Sequence, residues 1–350
     1  MEKKATKKSL SNIELSSFSS QMAMILKSGI SSIEGVTIML TDSTTEEEKA
    51  ILNDISTTLT ETGSFYKALV SSSVFPKYFL HMVEIGEQTG KLDEVMDALS
   101  SHYSREESIS KTVRNAVTYP LIMVGMMILV ILVLVIKVMP VFNQVFIQLG
   151  RELNGFSRGI MTLGATINRY SIAFTILFLL IIGCILYLTK TKSGRRTFLT
   201  LGYKFKGSRI IYEEIAACRF ASGMALTLSS GLNPEQSIEL INRLIENDIF
   251  QKKVQTCEAL MKQGATFEAA LSETHIFNGV YARMASIGSK TGTLDEVMDK
   301  IAVQYEEDID TKINNILAVL EPTLVISLSV IVGIILLSVM LPLMGIMSGL

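Results

Sequence analysis

The chain has 350 residues, 48% of them hydrophobic and 19% charged, with a formal net charge of −2. That is long enough for two or three ordinary domains, apolar for a soluble protein, and too evenly charged to say anything about nucleic acid. Its three cysteines, Cys184, Cys218 and Cys257, exclude a disulfide framework and form no Cys-x-x-Cys or Cys/His cluster, so they read as reduced thiols in or facing a cytoplasm.

The N-terminus opens with Lys3, Lys4, Lys7 and Lys8, like a signal peptide. The apolar run that follows, Met22 to Leu26, is too short for a signal-peptide core, and the first domain is expected to be cytoplasmic and uncleaved. From Glu14 to Lys27, Leu15, Phe18, Met22, Ile25 and Leu26 share one helix face, and Ser28-Gly29 ends that helix. Ser31 or Ser32 opens a second helix, with Ile33, Val36 and Leu40 expected inward. Thr44 or Thr45 precedes Glu46, Glu47 and Glu48, acids that suit the positive end of a third helix running to about Glu61. Gly63 breaks the pattern, Ser64 caps the next helix, and Phe65, Ala68 and Leu69 turn inward. Nothing alternates with period two over a useful length, so the class is all-α.

Phe75 to Leu99 reads FPKYFLHMVEIGEQTGKLDEVMDAL, and Phe277 to Ile301 reads FNGVYARMASIGSKTGTLDEVMDKI. A constant shift of 202 residues superposes them: Gly86 on Gly288, Thr89-Gly90 on Thr291-Gly292, and Leu92 to Asp97 on Leu294 to Asp299. The same shift pairs Phe18 with Phe220, Met22 with Met224, Phe65 with Phe267, Tyr103 with Tyr305 and Pro120 with Pro322. The chain is therefore a duplicated unit. Each copy is expected to fold as a bundle of about six helices. Within the repeated motif, Gly86 and Gly90 flank a sharp turn. Leu92, Val95, Met96 and Leu99 form the inner face of the next helix, while Asp93, Glu94 and Asp97 lie near its start.

That helix runs on through Tyr103 and Arg114 towards an uncharged stretch, Asn115 to Ile136. Tyr170 to Thr189 and Pro322 to Leu350 are also uncharged. A helix needs roughly 20 apolar residues to cross a hydrocarbon core, so all three qualify. If each repeat is a soluble domain ending in its own span, the unpaired middle span returns the chain to the first side. Lys190, Lys192, Arg195, Arg196, Lys204, Lys206 and Arg209 follow that middle span without an acid. The loop before it carries Lys137, Arg151, Arg158 and Arg169 with Glu152. The contrast puts both repeats inside. The expected order is a cytoplasmic repeat 1–118, span 119–139, extracytoplasmic loop 140–169, span 170–189, cytoplasmic repeat 190–320, and span 321–350 with an extracytoplasmic C-terminus. Pro120 and Pro322 stand where each domain meets lipid; each is either a hinge or the ordinary start of a new span.

The acids Glu87, Asp93, Glu94 and Asp97 are hard oxygen donors. Glu87 is Ser289 in the second copy, however, and carboxylates in a first helical turn have a sufficient structural role. No metal site is assigned. There is no phosphate loop with its lysine, no HExxH and no nucleophile elbow, so no catalytic or cofactor-binding residue is assigned. His81 and His102 do not recur in the second copy, where Arg283 and Gln304 stand. The spans hold no Asp, Glu, Lys, Arg or His at mid-depth, which weakens a transporter reading. The basic run after the middle span reads as membrane-surface anchoring, not as a direct nucleic-acid contact.

In this order the motifs resemble the type II secretion F-protein family, the inner-membrane platform proteins of type II secretion and type IV pilus machines. The carrying stretches are Phe18 to Gly29 (FSSQMAMILKSG) and Arg219 to Gly231 (RFASGMALTLSSG). With them go the two Gly-x-x-Thr-Gly-x-Leu-Asp-Glu motifs, Tyr119-Pro120, Pro140-x-Phe142, Glu321-Pro322 and Leu341-Pro342. The family's frequent arginine two residues after the opening phenylalanine is Ser20 in one copy and Ser222 in the other. Its leucine–proline pair in the external loop is Leu153-Asn154. The resemblance implies a non-enzymatic multi-pass protein of the cytoplasmic membrane, commonly dimeric. Such a protein couples a cytoplasmic hexameric ATPase to pilin or pseudopilin assembly alongside other inner-membrane assembly proteins. A small transporter, or a membrane-tethered scaffold of another complex, is the alternative. Expected ATPase contacts lie on the acidic faces of Asp93, Glu94, Asp97, Asp295, Glu296 and Asp299, and the expected hinges are Pro120 and Pro322.

Overall fold

The computed structural model describes residues 9–138, 140–141, 144, 206–242, 245, 247–277 and 279–347, and among these it contains helices and no strand. The first repeat consists of α1 (Asn12–Lys27), α2 (Ser32–Asp42), α3 (Glu46–Thr62), α4 (Phe65–Ser72), α5 (Lys77–Thr89) and α6 (Leu92–Val133). The second repeats that order as α7 (Lys206–Ser229), α8 (Pro234–Asn242), α9 (Asp248–Lys262), α10 (Phe267–Thr274), α11 (Gly279–Thr291) and α12 (Leu294–Met347). The described residues fall into two compact units. One is drawn from Met1–Lys111 and Ile210–Asp310, the other from Thr112–Arg209 and Thr311–Leu350.

Local chemistry explains the helix boundaries. Ser11 caps α1 in a reciprocal box with Glu14, whose carboxylate accepts the Ser11 backbone N–H at 2.7 Å. Ser31, Thr45 and Ser64 cap α2, α3 and α4 through their side-chain oxygens. Gly63 takes a left-handed conformation, φ +65°, and stops α3.

Both repeats are built on the same aromatic core. Phe18 lies 5.1 Å from Phe75, and its counterpart Phe220 lies 5.7 Å from Phe277. Phe79 packs on Tyr103 at 5.9 Å, and Tyr281 on Tyr305 at 4.3 Å. These rings pack among buried aliphatic residues such as Met22, Leu69 and Met96 in the first repeat and Met224, Leu271 and Met298 in the second. One inward expectation fails. Ile33 is 44% exposed, because α2 turns Gly35, Val36 and Met39 inward instead. Gly35 explains the choice: a Cβ there would lie 2.8 Å from Ile25 and 3.3 Å from Met22, so α2 meets α1 closest on that side.

Among the described residues two helices are long and apolar enough to cross a membrane, over Leu92–Ile131 in α6 and Leu294–Leu337 in α12. Neither Pro120 nor Pro322 interrupts its helix. Ile122, Met126 and Leu129 of α6 are exposed, as are Ile326, Val330 and Leu337 of α12. Apolar side chains uncovered along one long helix are what a lipid-facing segment requires. α6 ends in a π-helical turn, Leu134–Val138. The middle span expected at 170–189 lies outside the described residues, as do most of the loop at 140–169 and most of the basic stretch that follows.

Candidate functional site

The repeated motif is a corner that aims the last helix of each repeat. Its two glycines do different jobs. A Cβ on Gly86 would sit 2.9 Å from Val95 Cγ2, and one on Gly288 would sit 2.8 Å from Val297. Only glycine lets the two helices approach that closely. Gly90 and Gly292 instead meet open space but carry φ of +73° and +76°, a conformation that side chains disfavour. Lys91 N–H and Thr293 N–H then close onto Gly86 O (2.9 Å) and Gly288 O (3.1 Å). Thr89 and Thr291 hydroxyls donate back to Ile85 O (2.8 Å) and Ile287 O (3.0 Å).

The acids on these corners do not converge. Asp93 and Glu94 lie in the first turn of α6, and Asp295 and Glu296 in the first turn of α12. Glu94 pairs with Lys91 at 2.9 Å, and Asp97 with Lys27 of α1 at 2.8 Å. Glu87 turns away from them and caps α4, accepting Phe65 N–H at 2.6 Å, Tyr66 N–H at 3.0 Å and the Ser64 hydroxyl at 2.9 Å. No group of acids, cysteines and histidines suited to a metal ion occurs among the described residues.

Asp299, the counterpart of Asp97, behaves differently: it reaches across to the other repeat. Arg105 of α6 is only 9% exposed. Its Nη1 donates to Ser222 Oγ at 3.0 Å and its Nη2 to Asp299 Oδ1 at 3.1 Å, and its Nε lies 3.4 Å from Glu306 Oε2. His102 Nδ1 is 2.9 Å from the same Ser222 Oγ. Arg219 answers from the second repeat, donating through Nε to both oxygens of Glu106 at 2.8 and 3.1 Å. Leu226 joins the apolar core of the first repeat. So α6 carries two charged side chains, Arg105 and Glu106, and one histidine onto a face made by α7 and α12.

Electrostatics follow from that burial. Desolvation lowers His102 to about 4, with Arg105 and Arg219 lowering it further and Glu106 opposing them. A neutral His102 accepts at Nδ1 from the Ser222 hydroxyl, whose lone pairs take the Arg105 donor. Cys218 is pushed up to about 12, chiefly by burial, and its thiol donates to Ala302 O; it is an inert core thiol. A cavity of about 410 Å³ in the second repeat is lined by Leu271, Phe277, Ala282, Arg283 and Glu268. Its one carboxylate is already engaged. The Ser286 hydroxyl and Lys290 hold Glu268 below the usual carboxylate range. Held in that range by a lysine, Glu268 is a poor base for the Ser286 hydroxyl it accepts.

Sequence reasoning missed the Arg105 clasp. The available signal was divergence between copies. His102, Arg105 and Glu106 become Gln304, Glu307 and Asp308 one repeat later, while Tyr103 between them recurs as Tyr305.

The geometry thus defines a duplicated all-helical protein with two membrane-length helices, its repeats joined by a buried ionic clasp. The chain matches the family described as "Type II secretion system (T2SS), protein F" twice, over residues 18–140 and 220–342, and it belongs to that family. It is 27% identical over 338 residues to the type IV pilus assembly protein PilC of Thermus thermophilus, covering 96% of this chain and 83% of that one. To PilC of Pseudomonas aeruginosa it is 25% identical over 345 residues, covering 96% and 90%. To the type II secretion system protein F of Aeromonas hydrophila it is 23% identical over 338 residues, covering 95% and 86%. The two matched stretches are offset by the same 202 residues as the internal repeat.

Proposed function

We propose that this chain is the inner-membrane platform protein of a type IV pilus or type II secretion-like machine. In this reading it couples a cytoplasmic hexameric ATPase to pilin or pseudopilin assembly and performs no catalysis itself. Both helical repeats lie in the cytoplasm with the N-terminus, the C-terminus lies outside, and the working form is a homo-oligomer in contact with other inner-membrane assembly proteins. Relatives named for pilus assembly and for type II secretion, aligned over most of their lengths, support this reading.

The observation that carries it is the uninterrupted passage of α6 and α12 from short-helix bundles into apolar segments. A helix is stiff, so displacement of its bundle is transmitted along it. Pro120 and Pro322 weaken each helix at the same point of the repeat, because each removes one backbone hydrogen bond. We assign them as the joints, and we assign Asp93, Glu94, Asp97, Asp295, Glu296 and Asp299 to the ATPase-facing surface. Asp97 and Asp299 are then occupied in the unbound protein and must exchange partners.

The deciding experiment is deletion of the gene in its host, with complementation by the wild type and by a Pro120→Ala/Pro322→Ala variant. Loss of filaments or of secretion on deletion, restored by the wild type only, is the expected result. Normal assembly in the deletion strain overturns the platform reading; full restoration by the double variant overturns the joints alone.

A further inference from the structure

The contact between the repeats is one-sided. α6 seats His102 and Arg105 on Ser222 of α7 and on Asp299, Leu226 of α7 joins the core of the first repeat, and Ile215 lies two helical turns before Ser222 on the same side of α7. That face is closed: Ile215, Ser222 and Leu226 are 7%, 4% and 2% exposed. Duplication gives the first repeat the same face, formed by Ile13, Ser20 and Met24 of α1 with Asp97. There it is open. Ile13 is 60% and Met24 65% exposed, and Ser20 and Asp97 are exposed beside them.

We propose that the α1 face of the first repeat is a docking surface for a partner helix that presents an arginine flanked by polar side chains, seated as α6 is seated on the second repeat. The inference does not depend on the platform reading. Three observations on the molecule support this occupant. The chain itself shows what the homologous face accepts: a helix with a guanidinium at its centre. Asp97 stands where Asp299 receives Arg105, so one of the two carboxylates at the guanidinium is kept in both copies, Glu306 being Ser104 in the first repeat. Finally, Lys27 fills the gap. It pairs with Asp97 at 2.8 Å with the side chains 50% and 58% exposed, and its counterpart in the second repeat is Ser229. An exposed pair of this kind holds weakly and yields to a bidentate guanidinium. A second copy presenting its α12 in the same way would set Glu307, the counterpart of Arg105, against Asp97. Like charges disfavour that arrangement.

The test uses the full-length protein in detergent micelles and a fluorescent, hydrocarbon-stapled peptide of residues 95–112, the segment that fills the homologous face. Saturable binding by fluorescence anisotropy is expected. Met24→Asp in the protein, or Arg105→Glu in the peptide, should weaken it by about tenfold or more. Lys27→Ser, which removes the competitor, should tighten it by about threefold. A merely structural Lys27 would not give that gain. Absence of saturable binding, indifference to Met24→Asp, or no tightening with Lys27→Ser overturns the proposal. So does a peptide-free dimer that Met24→Asp dissolves, which would assign the face to a second copy.

Discussion

Tyr119 donates its hydroxyl to Glu321 at 2.9 Å, and the two residues occupy the same position in the two repeats. Each immediately precedes its proline. Residues related by a duplication touch one another only near a local symmetry axis, the hallmark of an isologous contact. Arg105, in the other compact unit, contacts Ser222 and Asp299, which are not its counterparts. The duplicated units are therefore paired like with like at one level of the chain and head to tail at another. Two copies of one sequence that must serve both kinds of contact cannot stay identical, and the substitutions at 105/307 and 119/321 mark where they diverged.

Adjacent counterparts can be tested by cross-linking. Tyr119→Cys with Glu321→Cys, in a background with Cys184, Cys218 and Cys257 replaced by Ser, should be bridged by a short bis-maleimide in membranes. A bis-maleimide is preferred because long side chains in contact leave Cα atoms too far apart for a disulfide. Cleavage of the chain between the two positions should then leave the fragments joined. Fragments that separate on a denaturing gel would show that α6 and α12 are not neighbours there.

Arg105 offers a second test. Arg105→Met keeps the stem and removes the charge, leaving Glu306 and Asp299, two turns apart on α12, without the cation they share. Removing one partner of a buried ionic contact costs about 3–5 kcal/mol. Asp299 is half-exposed, so solvent screens part of that loss and about 2 kcal/mol is expected. The thermal midpoint of the detergent-solubilised protein should fall by several degrees. Arg105→Met/Asp299→Asn/Glu306→Gln should recover part of it, since no carboxylate then lacks a cation. Equal midpoints for wild type and Arg105→Met would mean that the clasp contributes nothing.

Much of this architecture was written in local patterns. Leu15, Phe18 and Met22 recur at helical spacing, and all three are buried. Ser64 after Gly63 announced a helix start, because a left-handed stop and a hydroxyl cap are short-range chemistry. Ile33 was misread because its spacing fits the inner face, while the close approach of Gly35 to α1 is a tertiary fact. The clasp was invisible for a related reason. Arg105 sits in a polar run, YSREES, that reads as a solvated face until another helix covers it. The motif acids drew attention through their repetition, yet repetition here marks a shared corner, and Asp97 and Asp299 ended with different partners.

Acid should loosen the protein through His102. Its folded pKa, about 4, lies below the ordinary value of 6.5. Above 6.5 the ring is neutral in folded and unfolded chains alike, and no penalty exists. Below 6.5 the unfolded chain takes up a proton that the folded chain resists, so stability falls as pH drops towards 4 and then levels off. The loss is about 3 kcal/mol over that window. His102→Gln, which installs the residue of the second repeat, should remove this component. The difference in unfolding free energy between wild type and variant should therefore slope between pH 6.5 and 4. A flat difference would show that His102 titrates normally.

The two motif glycines should also separate by experiment. Gly86→Ala drives a Cβ into Val95 at 2.9 Å and towards the Leu92 backbone at 3.3 Å. Helices that cannot part without disturbing the core should make this cost about 1–3 kcal/mol. Gly90→Ala meets nothing within 4 Å. Its cost is limited to a left-handed backbone, about 1 kcal/mol. The distinguishing variant is Gly86→Ala/Val95→Ala, which clears the contact and should be less destabilised than the sum of its single changes, whereas Gly90→Ala/Val95→Ala should be additive because the two sites share no contact. The same ranking is expected for Gly288 and Gly292 with Val297, where the Cβ would lie 2.8 Å away. Equal costs at Gly86 and Gly90, with no relief from Val95→Ala, would mean that the motif is kept for its turn alone and not for the tight packing of α5 on α6.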